Sequence, residues 1–142
     1  MNTASIQALH EVHTATNDVL TGYGELAARA EPEIKPVILQ LTEMHERHRE
    51  EQAALLSSMR ESGQDDSSVQ GTVNKVVVVL RDWLSDLDRD ILPAVRDGEE
   101  SLLAKFDDAY EEARSDNADV VLTLLTSQRA AIRLAVATLP AS

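Results

Sequence analysis

Between residues 3 and 29, small, apolar or weakly polar side chains return at Ile6, Leu9, His13, Thr16, Leu20, Tyr23 and Ala27, in alternating steps of three and four. That period predicts an amphipathic helix with one inward seam. A second helix is expected to open at the Glu31/Pro32 punctuation, where proline is tolerated in a first turn, and to close at Gly63. Its seam reads Ile34, Ile38, Leu41, His45, His48, Gln52, Leu55 and Met59. A further pair follows downstream. Leu92, Val95, Glu99, Leu102, Phe106, Ala109 and Ala113 mark one seam, and Val121, Leu124, Gln128, Ala131, Leu134 or Ala135, and Leu139 mark the other. Ser115, Asp116 and Asn117 offer caps for the last helix.

The Asp-, Ser- and Gly-rich stretch 63–68 reads as a linker, and residues 69–88, with the valine run 76–79 and Trp83, read as an extra crossover helix. Pro93 falls where a helix starts or kinks. Neither hairpin, 3–62 or 91–139, can bury its own apolar face, so the whole of 1–142 is expected to share one core. The fold class is therefore all-α: two helical hairpins joined by a long crossover.

Composition narrows the picture. The chain has 43% hydrophobic but only 3% aromatic residues, with five glycines and four prolines, which suits close-packed helices better than a deep ligand cavity. A formal charge of -12 repels phosphate backbones and anionic lipid surfaces, so neither nucleic acid nor membrane is an expected partner. The N-terminus lacks a signal-peptide pattern and the apolar run Val76 to Leu80 is too short to span a bilayer, which points to the cytoplasm. The lack of cysteine removes thiolate metal sites and cysteine nucleophiles. No Gly-x-Ser-x-Gly elbow or phosphate-binding glycine loop occurs, so catalysis has little support.

Candidate chemistry rests on the four histidines, which form two HxxH pairs, His10/His13 and His45/His48. If the chain reverses between Ala30 and Glu31, the two pairs differ in height by only ~4.5 Å along antiparallel helices at ~1.5 Å per residue. His13, His45 and His48 lie on inward seams with Glu99 facing them, and His10 lies on a flank. Two readings follow. One is a single Zn, Ni, Cu or Fe ion held by His13, His45, His48 and Glu99. The other, favoured one is a cofactor-free polar layer, hydrogen-bonded through Glu99, Gln52 or Gln128, that fixes helix register. Shifting the first half by 86 positions lays Ile6 on Leu92, His13 on Glu99 and His45/His48 on Ala131/Leu134, which predicts a layer that is polar on three helices and apolar on the fourth.

The segments Gly22/Tyr23/Gly24/Glu25 and Gly98/Glu99, within a stretch running through Ser68, Val69, Gly71, Asp97 and Tyr110, resemble a small bacterial ferritin-like four-helix-bundle family of unknown function. The resemblance implies the ferritin-like fold and no established reaction. Wider ferritin-like metal proteins use a Glu from each of two helices and Glu-x-x-His from the other two. Here the second helix has no Glu-x-x-His and the fourth has no His, so a carboxylate-bridged di-iron centre is not expected. The expected function is that of a non-catalytic bundle acting through protein contacts as a homo-oligomer, with the valine run and the repeat-related faces as interfaces; the alternative is a metal-binding protein or metal-dependent enzyme with a reduced His/Glu site.

Overall fold

A computed structural model describes residues 3–61 and 91–140, which form four helices and no strand. The helices are α1 (Thr3–Arg29), α2 (Lys35–Glu61), α3 (Ile91–Arg114) and α4 (Asp119–Ala137). The expected linker 63–68, the crossover helix 69–88, the valine run and Trp83 lie outside the described residues.

Side-chain pairings set the directions of the helices. Tyr23 meets Glu99 and Ser5 meets Asp116, so α1 and α3 run antiparallel. His13 meets Gln52 while Tyr23 lies beside His45, so α1 and α2 are also antiparallel. Arg129 meets Asp107 and Arg96 reaches the Leu139 carbonyl just past α4, so α4 is antiparallel to α3 and hence to α2, which it meets at Gln128 and Gln52. Helix α1 packs along α2 and α3, α3 packs along α4, and α2 touches α4 over a shorter stretch. Consequently α2 and α3 are parallel helices on one diagonal, and residues 61 and 91 sit at opposite ends of the bundle.

The core explains why four helices suffice. Ile6, Leu9, Val12, Ile38, Val95, Leu102, Phe106, Val121, Leu125 and Ile132 are all sealed from solvent. Each contributes roughly 1.5–3 kcal/mol through burial. Ala8, Ala15, Ala109 and Ala113 are also fully buried, and their small side chains let backbones approach closely.

The ends depart from expectation in instructive ways. Helix α2 begins four residues after the Glu31/Pro32 signal, because Glu31–Ile34 form a turn in which the amides of Ile34 and Lys35 donate to the Glu31 carbonyl. Pro93 occupies the first turn of α3, where its missing N–H has no consequence. Ser115, Asp116 and Asn117 do not cap α4, whose N-cap is Ala118 with no side-chain cap bond. Asn117 instead takes the left-handed backbone (φ 54°) that turns the chain, a conformation asparagine tolerates. Asp116 turns to the far helix: its Oδ2 accepts from the Ser5 amide at 2.8 Å and the Ser5 hydroxyl at 2.7 Å. A carboxylate thereby satisfies a free amide in the first turn of α1, where negative charge is favoured.

The seam of α4 is the main correction to the core. Val121, Leu125, Gln128, Ile132 and Val136 are buried, whereas Leu134 is 73% exposed and Leu124, Ala131 and Ala135 only partly covered. Adjacent apolar pairs at 124/125, 131/132 and 135/136 make two registers possible. Gln128 belongs to both registers, and in the structure Leu125 and Ile132 accompany it inward in place of Leu124 and Ala131.

Candidate functional site: a buried polar layer

Tyr23, His45, Gln52, Glu99 and Gln128 are within 1% of full burial, His48 is 6% exposed, and Thr16 is sealed. Polar groups withdrawn from water this completely cost several kcal/mol unless paired. Two connected units provide that pairing.

The first unit is built on Glu99. Its Oε2 accepts a hydrogen bond from the Tyr23 hydroxyl, and its Oε1 and Oε2 lie 3.1 and 2.9 Å from His45 Nε2. A carboxylate only accepts, so Nε2 of His45 carries the hydrogen. Glu99 thus receives hydrogen bonds from its neighbour α1 and, across the bundle diagonal, from α2. Burial, the nearby Glu99 charge and the bond to Glu99 together hold the Tyr23 phenol well above its ordinary pKa, so it remains a donor throughout the accessible pH range.

The second unit is a glutamine ladder. Gln52 Nε2 donates to Thr16 Oγ1 (3.1 Å) and Gln128 Oε1 (2.9 Å), and Gln52 Oε1 accepts from His13 Nδ1 at 3.1 Å. Gln128 Nε2 donates to the His48 carbonyl (3.1 Å) and to Glu51 Oε1 (3.0 Å). Thr16 passes its own hydroxyl hydrogen to the Val12 carbonyl at 2.8 Å. Every donor and acceptor type on both amides is therefore engaged.

Two atoms fall outside this accounting: Nδ1 of His45 and Nδ1 of His48 are buried without a hydrogen-bond partner. The two rings stand edge to face with centroids 6.0 Å apart, and the Tyr23 ring is 6.0 Å from that of His45. Burial foremost, followed by the repulsion from His45, lowers the His48 pKa to about 4, so this imidazole is neutral at physiological pH.

The histidine pairs do not share a level as the sequence arithmetic expected. His13 is opposite Gln52, and His45 is opposite Tyr23. The turn at 30–34 moves the reversal point about two residues along the chain, which changes the register by about 6 Å at 1.5 Å per residue. The structure therefore joins His45 to Glu99 and sets His48 beside His45, but it takes His13 to the glutamine ladder and leaves His10 part-buried on the α1 flank. Among the described residues no group of three or more His, Asp or Glu side chains is arranged to hold a metal ion. The fourth helix is not apolar at the layer, since it supplies Gln128. Tyr23 and Thr16 belong to the layer although they carried no site signal beyond their seam positions. The useful clue is that a buried tyrosine hydroxyl needs a partner.

No curated protein and no solved structure matches this chain. Residues 4–112, which take in α2 and nearly all of α1 and α3 but stop short of α4, match a family, and the chain belongs to it: the family is described as Domain of unknown function (DUF2383).

Proposed function

We propose that this protein is a non-catalytic bundle of ferritin-like architecture that acts through protein contacts as a homo-oligomer, and that its buried polar layer sets helix register. The parallel arrangement of α2 and α3, with residues 61 and 91 at opposite ends of the bundle, supports the ferritin-like connection. The observation that carries the functional reading is the closed pairing of Glu99: both oxygens are occupied by Tyr23 and His45, and the glutamine ladder below is likewise filled. A satisfied buried network specifies one packing among several apolar alternatives. The uncharged, exposed face of α4 supports a role in contacts.

A second reading is favoured by one observation, the unpartnered Nδ1 atoms of His45 and His48. Ring rotation would turn these imidazoles and Glu99 toward one Zn, Ni, Cu or Fe ion, and His13 would have to leave Gln52 to serve as a fourth donor. The di-metal carboxylate set does not fit, because α4 places Gln128 and Ile132 at the layer and offers no carboxylate there.

Metal analysis of protein purified without an affinity tag distinguishes the two. The expected result is no stoichiometric metal and a melting temperature unmoved by Zn, Ni, Fe or Cu. Stoichiometric metal that disappears in a His45→Ala, His48→Ala variant would replace the first reading with the second.

A further inference from the structure

The exterior of α4 differs from the rest of this acidic chain. Opposite its buried seam, the exposed residues Val120, Thr123, Ser127, Ala130 and Leu134 form a stripe with no charge, and Val120 and Leu134 are 57% and 73% exposed. Spacing gives the stripe a centre: Val120 and Leu134 lie seven residues, or two turns, on either side of Ser127. Asp119 and Arg133 sit on one flank of the stripe, near its opposite ends; both are exposed and neither has an ion-pair partner among the described residues. A face with an apolar side chain at each end, small residues between them and opposite charges near its two ends is complementary to a second copy that runs antiparallel to it.

We infer that this face of α4 binds the same face of a second copy of the chain, antiparallel, about a two-fold axis at Ser127. Under that axis Val120 of each copy packs on Leu134 of the other, and Ser127 meets its own counterpart. Asp119 approaches the second copy's Arg133 on the shared flank, since a two-fold perpendicular to both helices keeps like flanks on the same side. The small residues Thr123, Ser127 and Ala130 allow the two backbones to come close. The uncharged stripe also lets copies of net charge -12 meet without direct repulsion. This inference rests on the homo-oligomer proposed above and assigns its interface.

Sedimentation of the full chain across a range of concentrations tests it. The wild type is expected to be a dimer, and Leu134→Asp is expected to weaken association at least about tenfold while leaving the chain helical and cooperatively folded, because the side chain is exposed in the single chain. Asp119→Arg and Arg133→Asp are each expected to weaken the dimer, and the double swap to restore it. A Ser127→Cys variant is expected to form a disulfide with its own copy, whereas Glu46→Cys, on an exposed site of α2, is not. A dimer indifferent to Leu134→Asp and not captured through Ser127→Cys overturns this interface and leaves self-association standing. A chain that is monomeric at every concentration overturns both, and if residues 62–90 or a lipid surface cover the stripe, that is the result obtained.

Discussion

Helices α2 and α4 meet along one side of the bundle and divide polarity in opposite ways. Facing inward, α2 presents His45, His48 and Gln52 among its apolar residues, while outward it carries Glu43, Glu46, Arg47, Glu50 and Glu51. Helix α4 presents Val121, Leu125, Ile132 and Val136 inward with Gln128 as its one buried polar side chain, and its outer stripe from Val120 to Leu134 is uncharged. The exposed charges of α2 do little for stability, since the Arg47–Glu43 pair at 3.6 Å is open to solvent. What distinguishes α2 lies inside. What distinguishes α4 lies outside, which is why specificity of packing is assigned to the first helix and association to the second.

The comparison breaks most visibly at Glu99, the group that α2 depends on. Glu99→Leu strips the acceptor from the Tyr23 hydroxyl and His45 Nε2 together, and is expected to cost about 4 kcal/mol in urea unfolding. On the apolar side, Leu125→Ala in α4 should cost about 3 kcal/mol by the same measurement, because that side chain is 1% exposed and leaves a cavity. The contact between the two helices comes next: Gln52→Leu or Gln128→Leu orphans the other amide at a cost of about 2 kcal/mol, and the double variant should be less destabilised than the sum of the singles.

The pH response sharpens the inner contrast further. Folded His48 titrates at about 4, below its ordinary 6.5. The unfolded chain therefore binds a proton at higher pH than the folded one, and stability held above pH 6.5 should fall as pH drops toward 4. Thermal melts across that window should show the loss, and His48→Gln should flatten it. The smallest effect is the outermost: Leu134→Ala should change the stability of an isolated chain by no more than about 0.5 kcal/mol, in contrast with Leu125→Ala nine residues away on the same helix.

The helical periodicity was legible wherever one register dominates. The α1 seam from Ile6 to Tyr23 is buried except at His13, which is partly covered, and the α3 seam from Val95 to Ala113 is buried throughout. It was ambiguous where apolar residues come in adjacent pairs, as at 124/125 and 131/132, and a pattern of apolar positions cannot choose between two stripes 100° apart. The polar layer was legible as a set of seam positions but not as a set of partners. Partner choice depends on the height of one helix against another, and a reversal point two residues beyond the one its punctuation suggests moves His13 from the level of His48 to that of Gln52. Asp116 shows the same limit: a residue with capping chemistry serves the helix that is near in space, not the one next in sequence.

The most direct test of the buried layer is nitrogen-15 NMR of the histidine side chains at neutral pH. His45 is expected to show a hydrogen on Nε2 bonded to the Glu99 carboxylate, with His48 a neutral imidazole, and one equivalent of Zn, Ni or Cu should leave both signals in place. If the His45 hydrogen is absent from Nε2, or if an added metal shifts the Nδ1 or Nε2 resonances of His45 and His48 together at stoichiometric concentration, the layer is a ligand set and the account given for it is contradicted.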